Sequence, residues 1–561
     1  MTDPLRRPSQ DNRFGVYLPS SRVGVGAKMF GKDVANFELF QALVRHGGFD
    51  RVDFLTQQPV EAEALREGLR IADDCPTEVG SADVLTPDLA RAAGTVLRGT
   101  PRLEELAWLR RTTSGDAGYS LVGLIHTIAP PAMREEIAMA SVAPVQPWDA
   151  LICTSPSVQS GMGRMFDDWD DYLAERFGGA RRTRPLLPLI PLGVDGEALR
   201  KRADAGRGAA LRSKLGMATD DVLVIWIGRL SYFEKAFPQP MMRAVAEAGR
   251  RAGRRVHFAM AGWFPNAEGD ERMYRQAAVA HGPDLAFHLL DGNDRDQVDA
   301  LRAGADIFLS LVDNIQETFG ITPLEAMASG LPVVVSDWDG YRHTVEDGVQ
   351  GFRVPTLIGP AGALPASFTA GHDFRQRSYQ QYVGILAQHT AVDVEAATQT
   401  LTRLIESPEL RRTLGEAGRE RVRTVFDWSV VAPQYRALAD ELAAIRRAAG
   451  ATPRPGGIHP VRGEPLADFA HFATRVLTDD TVLTLRPGAG RADLERASRV
   501  QLDAFASRWR ATPEECGLAL DQLAAGPATA GDLLQRVPAG RRGLLRLGLV
   551  WMVKLGLLTW R

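Results

Sequence analysis

A chain of 561 residues with 45% hydrophobic and 24% charged side chains is long enough for more than one hydrophobic core, and three domains is the expectation from its length. The formal net charge of −3 excludes a general polyanion binder, so nucleic acid is not an expected partner. Three cysteines, Cys75, Cys153 and Cys516, lie far apart without metal-ligand spacing, which excludes a disulfide framework and fits a reducing compartment. Residues 1–13 lack the apolar core of a signal peptide, and no apolar run reaches the ~20 residues that span a bilayer, so the expected location is cytoplasmic.

In chain order, residues 14–18 read as a first strand, 33–46 as a helix and 52–55 as a second strand. Residues 121–126 and 150–154 are later strands of the same half. Short apolar strands alternating with amphipathic helices predict a doubly wound parallel sheet. Residues 188–195 close this half, and a polar stretch, 196–221, leads to a new strand at 222–227. A second α/β half follows, with strands at 256–260, 287–290 and 306–311, and runs to about residue 425. Val431, Tyr435, Leu438 and Leu442 fall at helical spacing on an amphipathic helix over 428–446. Residues 450–465, rich in Pro and Gly, read as a linker. Residues 466–561 read as a small, mainly helical module: Thr512-Pro513 opens one helix with proline at its first position, and Thr529-x-x-Asp532 is a near capping box for another.

The most informative stretch is 316–336. It reads as a loop through Phe319-Gly320, a short helix carrying Glu325, a turn at Gly330-Leu331-Pro332 and a buried strand at Val333-Val334-Val335. Glu317 and Glu325 bracket the loop-to-helix junction, where the free N–H groups of a first helical turn form a cradle for phosphate or sugar oxygens. Carboxylates so placed accept hydrogen bonds from sugar hydroxyls. Any two glutamates near a helix can instead simply cap and solvate it. Here Glu-x7-Glu is embedded in Phe-Gly-Ile-x-Pro-x-Glu-Ala-Met-Ala-x-Gly-x-Pro-Val, and that sentence resembles the nucleotide-sugar site of family 4 glycosyltransferases. The resemblance implies the GT-B fold, in which two Rossmann-like domains face a cleft.

The same resemblance covers residues 14–446 and extends to further residues. Gly228-Arg229 at a strand end, with Lys235 six positions after the arginine, matches the pair that the family sets against a departing nucleoside diphosphate. The family shows adjacent glycines after the first strand; here Phe30-Gly31 occupies that position, in the glycine-rich run 24–31. His126 resembles the histidine that faces the donor sugar, and Phe319, Gly320 and Ile321 match the backbone that holds it. Trp263 lies where the nucleotide-side loops begin. Asp167-Asp168-Trp169-Asp170-Asp171 contains the Asp-x-Asp of a metal-holding fold, but its helical, charged surroundings read as a solvated face. No metal and no cofactor are expected.

Taken together, the resemblance implies an enzyme: a retaining glycosyltransferase that moves a sugar from a nucleoside-diphosphate sugar to a saccharide or lipid-linked acceptor. It assigns residues 1–195 to the acceptor-side domain, 196–427 to the nucleotide-sugar domain and 428–447 to a helix returning to the first domain; 448–465 follow as a linker, and 466–561 as an additional module with no counterpart in the family pattern. The expected catalytic residues are Glu317, His126, Arg229 and Lys235, with Glu325, Phe319, Gly320, Ile321, Gly31 and Gly228 binding the donor. A donor-binding but inactive scaffold, or a nucleotide-sugar epimerase on the same fold, are the alternatives. In the last module no acidic residue follows Asp532, whereas Arg536, Arg541, Arg542, Arg546, Lys554 and Arg561 are basic, and its apolar ending loosely resembles the last helix of winged-helix folds. A packed domain for assembly or acceptor docking is one reading; peripheral contact with the inner face of a membrane through 536–561 is the sharper one.

Overall fold

The computed structural model describes residues 12–19, 31–179, 183–265, 267–450 and 456–561. They form two compact units, one ending at Gly457 and the other spanning Ile458–Arg561.

The first unit holds two parallel six-stranded sheets. The first is built from β1 (Arg13–Leu18), β2 (Arg51–Thr56), β3 (Glu78–Asp83), β4 (Thr95–Arg98), β5 (Ser120–Leu124) and β6 (Ala150–Ile152), in the spatial order β3-β2-β1-β4-β5-β6. The second uses β7 (Val222–Ile227), β8 (Val256–Gly262), β9 (Ala286–Asp291), β10 (Ile307–Ser310), β11 (Val333–Ser336) and β12 (Gly351–Val354), in the order β12-β11-β10-β7-β8-β9. Both sheets therefore reverse direction between their first and fourth strands, the topological switch point at which doubly wound folds bind ligands. Two Rossmann-like halves of this kind, facing a cleft, make the GT-B architecture.

The strands are continuous apolar runs because helices cover both faces. In β7, Val222–Trp226 are all buried; in β11, so are Val333–Ser336. The sequence pattern did not reveal β3, β4 or β12. β3 (EVGSAD) is an edge strand with one large apolar residue, and β4 is only four residues long. Residues 346–350 lead into β12, which pairs parallel to β11 as the opposite edge. The polar stretch 196–221 is mostly two capped helices, Gly196–Arg202 and Ala205–Lys214. Asp195 and Asp204 accept from Ala198 N and Arg207 N, satisfying N–H groups that a first turn leaves open.

The crossings between the halves lie side by side: Val194 N donates to Phe426 O, and Trp428 N donates to Val194 O. The helix Trp428–Ala448 then lies against the first half, where Arg436 donates to Gly48 O at 2.7 Å and Arg446 to Gly94 O at 2.8 Å and Ser120 Oγ at 2.6 Å. Asp170, expected on a solvated face, is buried beneath Arg184, which pairs with it at 2.6 Å and with Asp167 at 3.0 Å. A short two-stranded sheet, β13 (Thr356–Ile358) with β14 (Thr390–Val392), completes this unit.

The second unit adds to its helices a three-stranded antiparallel sheet, which the sequence pattern did not reveal: β15 (Val482–Leu485) lies between β16 (Ala528–Thr529) and β17 (Leu558–Trp560). Thr512 and Glu515 form a reciprocal capping box on the helix Pro513–Ala524. The final helix, Arg542–Lys554, turns Leu545, Leu549 and Met552 into the unit's own core against Cys516, Leu520 and Leu533. Packing within the unit therefore takes up most of the apolar side that the sequence offered to a membrane. Leu547 and Val550 are its exposed large apolar residues. Among the described residues no helix is long and apolar enough to cross a membrane.

Candidate active site

Every loop at the cleft follows the C-terminal end of a parallel strand. Beyond β7, the Arg229 guanidinium meets Glu234 at 2.5 Å and stands 5.9 Å over the Trp263 ring. Lys235 Nζ donates to Glu317 Oε2 at 3.0 Å. The two cations and the first glutamate named from the sequence are thus gathered at the ends of β7 and β10, next to one another in the sheet.

Asn314 fixes that approach. Its Nδ2 donates to Phe233 O at 2.6 Å and its Oδ1 accepts from Gln316 N at 2.9 Å, which ties the loop after β10 to the loop after β7. The Trp338 indole adds a bond to Asn314 O at 3.0 Å. Neighbouring Asp313 is buried, and burial pushes its carboxyl well above the usual carboxylate range.

Gly320 stands at the N-cap of the helix Ile321–Ala328 with φ +88°. A Cβ there would fall 1.9 Å from the ring of Tyr341, a fully buried residue whose hydroxyl meets Ser310 Oγ at 3.0 Å. Glycine is required on both counts, conformation and space. The turn directs the first N–H groups of the helix at the cleft beside Glu317. Phe319 is buried beneath it, and Gly228 sits at the end of β7, where its N–H donates to Ala261 O.

Glu325 lies one turn into this helix and accepts from Arg302 at 2.6 Å, with Arg302 also held by Asp299 at 3.1 Å. From the first half, Glu38 of the helix Gly31–His46 comes within electrostatic reach. Burial, reinforced by the Glu325 charge, pushes the Glu38 carboxyl up to about 7.

His126 is just beyond β5. Its Nε2 lies 2.9 Å from Asn36 Oδ1 and 3.1 Å from Gly99 O. Two acceptors at one nitrogen assign the proton to Nε2 and leave Nδ1 as an acceptor. Burial lowers its pKa to about 4, so the ring is neutral at physiological pH. Its own carbonyl accepts from Thr318 Oγ1 at 2.6 Å, so His126 of the first half is joined to the residue next to Glu317.

A second bridge crosses the cleft where Ser155 Oγ donates to Asp339 Oδ1 at 3.0 Å. Asp339 holds a left-handed backbone, φ +37°, and burial with the nearby Glu317 charge raises its carboxyl to about 7.

The structure thus gathers Glu317, Lys235, Arg229, Gly320 and His126, and sets Glu325 farther along the same helix. Residues 24–30 of the glycine-rich run lie outside the described residues. Gly31 opens a helix, and a Cβ on it would meet nothing within 4 Å, so no steric demand for glycine appears there. Asn314, Thr318, Glu38 and Asp339 were not singled out from the sequence. Only Asp339 had a local signal, an Asp-Gly turn after a strand, because aspartate visits the left-handed region more readily than most residues. Among the described residues no group of three His, Cys, Asp or Glu side chains is placed to hold a metal ion. His257 and Asp221, 3.1 Å apart, and His288, 3.0 Å from His257, form a separate cluster, with His257 at the opposite end of β8 from the cleft.

Residues 209–357 match the family described as glycosyl transferases group 1. A D-inositol 3-phosphate glycosyltransferase of Saccharomonospora viridis is 31% identical over 262 residues, 45% of this chain and 56% of that one. An MMP alpha-(1->4)-mannosyltransferase of Mycolicibacterium hassiacum is 26% identical over 255 residues, 46% of this chain and 48% of that one. The chain spans about half the length of the curated relatives it matches. Among solved structures, Anabaena HepE in complex with UDP-glucose is 18% identical and aligns over 77% of this chain and 99% of that one, with a TM-score of 0.47. The matched segment contains β7 to β12 with Arg229, Lys235, Glu317 and Glu325, so the likeness to the glycosyl transferases group 1 family is carried by this second half.

Proposed function

We propose that this chain is a retaining glycosyltransferase that uses a nucleoside-diphosphate sugar as donor and a saccharide or lipid-linked molecule as acceptor. The observation that carries the reading is the meeting of Lys235, Arg229, Glu317 and the Gly320 helix N-terminus opposite His126. In this reading Glu325 takes the ribose hydroxyls, with Arg302 fixing its carboxylate. Glu317 and the N–H groups around Phe319, Gly320 and Ile321 hold the sugar, and Gly228 keeps the backbone close to the donor. Arg229 and Lys235 offset the charge that grows on the departing diphosphate. The bond from the anomeric carbon to the diphosphate oxygen breaks, and a bond to the acceptor oxygen forms on the same face. The acceptor proton passes to the diphosphate oxygen that leaves. Neutral His126, fixed by Asn36 and Gly99, receives a sugar hydroxyl at Nδ1. Closure of the halves excludes water and suppresses donor hydrolysis. The chemistry uses no metal, because the cations and helix N–H groups supply the electrostatic stabilisation. The matching family segment and the names of the relatives support the same class of reaction.

Thermal-shift screening of the full chain against UDP-, GDP- and ADP-sugars tests the reading. Stabilisation by one donor, lost in Glu325→Ala and Arg229→Ala, is expected, together with slow release of its nucleotide. The anomeric configuration of the transferred sugar, read by NMR, matches the donor if transfer is retaining. Binding without sugar release or transfer to any acceptor points to an inactive scaffold, and interconversion of the donor sugar itself to an epimerase.

A further inference from the structure

A cavity of about 560 Å³ lies on the side of the second half away from the cleft. It is framed by the helix Gln239–Ala252, the loop that leads from it into β8, the end of the helix Ala267–His281 and the start of the helix Val394–Glu406. Cavities of this size take small molecules. β8 begins here, at Val256, and ends at Gly262 beside Trp263, so the cavity and the donor loops stand at opposite ends of one sheet.

Arginine dominates the charge on this wall. Arg243, Arg250, Arg254 and Arg255 line the cavity with Glu247, Asp284 and Glu395. Two of the three carboxylates are engaged by Arg251, which meets Glu247 at 2.7 Å and Glu395 at 2.7 Å, and Arg250 also pairs with Glu247. Asp284 alone is left to face Arg243, Arg254 and Arg255. All three of those arginines are exposed, and none has a side-chain hydrogen bond or ion pair among the described residues. The excess is one of formal charge, since arginine stays protonated in proteins. Asp221 stands behind the wall, held by His257 at 3.1 Å and Ala218 N at 2.8 Å, and does not line the cavity.

The helix dipole accounts for only part of this cluster. Arg250 and Arg251 occupy the last turn of Gln239–Ala252, where cations offset the carbonyl end of a helix. Arg243 lies well before that turn, and Arg254 and Arg255 follow the left-handed cap at Gly253. A concave wall with an excess of one charge concentrates the opposite one. Val256, Leu285 and Val394 add apolar lining, which suits an anion with an organic part.

We propose that this cavity is a second anion site, outside the cleft, for a small molecule bearing a doubly charged phosphate or a diphosphate, gripped by Arg243, Arg254 and Arg255. Guanidiniums suit such groups because several N–H donors meet the phosphate oxygens at once. The site is independent of the transferase reading, and its ligand is not a substrate of the cleft.

Isothermal titration of inorganic pyrophosphate into the full chain carrying Arg229→Ala/Lys235→Ala tests it, because that pair of changes removes the cations of the cleft. One binding site is expected to remain. Adding Arg243→Gln/Arg254→Gln should weaken it by about tenfold or more. Adding Arg496→Gln/Arg499→Gln instead, the same change of charge at exposed positions of the second unit, should leave the affinity within about twofold. Arg255→Gln by itself should also weaken pyrophosphate, and thermal unfolding at the parent's midpoint shows that each variant is folded. Absence of pyrophosphate binding once the cleft cations are gone overturns the proposal. So does unchanged affinity in Arg243→Gln/Arg254→Gln, or equal weakening by the two arginine pairs. Donor-induced thermal shift of the Arg243→Gln/Arg254→Gln chain reads the cleft separately, so failure of this site and failure of the transferase reading are told apart.

Discussion

At the residue scale, Glu38 shows how burial, reinforced by the charge of Glu325 from the other half, holds a proton on a carboxylate. Glu38 titrates at about 7 in the folded chain, against an ordinary 4.5. Between those values the unfolded chain has released a proton that the folded chain still binds, so folding loses stability as pH rises from 4.5 to about 7, and the cost is constant above. Glu38→Gln removes that cost. It should raise stability at pH 8 by on the order of 1 kcal/mol, allowing for partial solvent access, and by much less at pH 5. Thermal unfolding at the two pH values checks this; an equal gain at both would mean that Glu38 is not held protonated. Burial also keeps Asp313 and Asp339 above the carboxylate range, so the cleft side of the second half concentrates acids whose charge depends on their surroundings.

At the scale of elements, the loop from β10 into the helix Ile321–Ala328 carries the site. Its shape is fixed at three points: Asn314 ties it to Phe233, Thr318 ties it to His126, and Gly320 turns it over Tyr341. Gly320→Ala would impose a left-handed backbone on alanine and drive its methyl into a buried ring. Destabilisation of at least ~2 kcal/mol is expected from strain and overpacking, measured by chemical denaturation, with donor binding lost as the N–H groups shift. Denaturation indistinguishable from the parent protein would sink this account of the turn.

At the scale of the molecule, the unit that ends at Gly457 contains both sheets, the cleft and the helix Trp428–Ala448 that packs on the first half. The unit Ile458–Arg561 has its own core around Leu520, Leu533, Leu549 and Met552. A chain ending at Gly457 should therefore keep the donor-induced thermal shift of the full chain within a twofold change in apparent affinity. Loss of the shift in a truncated chain that still unfolds cooperatively would assign part of the donor site to the removed unit. Flotation with anionic vesicles, compared between the two lengths, tests membrane contact through 536–561; equal flotation would exclude that role for the segment.

The apolar runs of β7, β10 and β11, the Glu-x7-Glu junction and the Arg229–Lys235 spacing were legible in the sequence because each is local: burial writes strands as apolar runs, and a phosphate cradle needs a loop, a glycine and a helix start in succession. The edge strands β3 and β12 were not, since an edge with few large apolar residues has no such pattern. The capped helices at 196–214 were read only as polar chain, because their stability comes from caps and from packing of a few residues such as Leu199 and Leu211. Only the tertiary structure brought Thr318 to His126, Ser155 to Asp339 and Glu38 towards Glu325, across sequence separations of 192, 184 and hundreds of residues. It also turned the apolar side of Arg542–Lys554 inward. Such pairings depend on how two sheets face one another and on which surfaces a core covers, and those are decided by packing between distant segments rather than by the residues of any one of them.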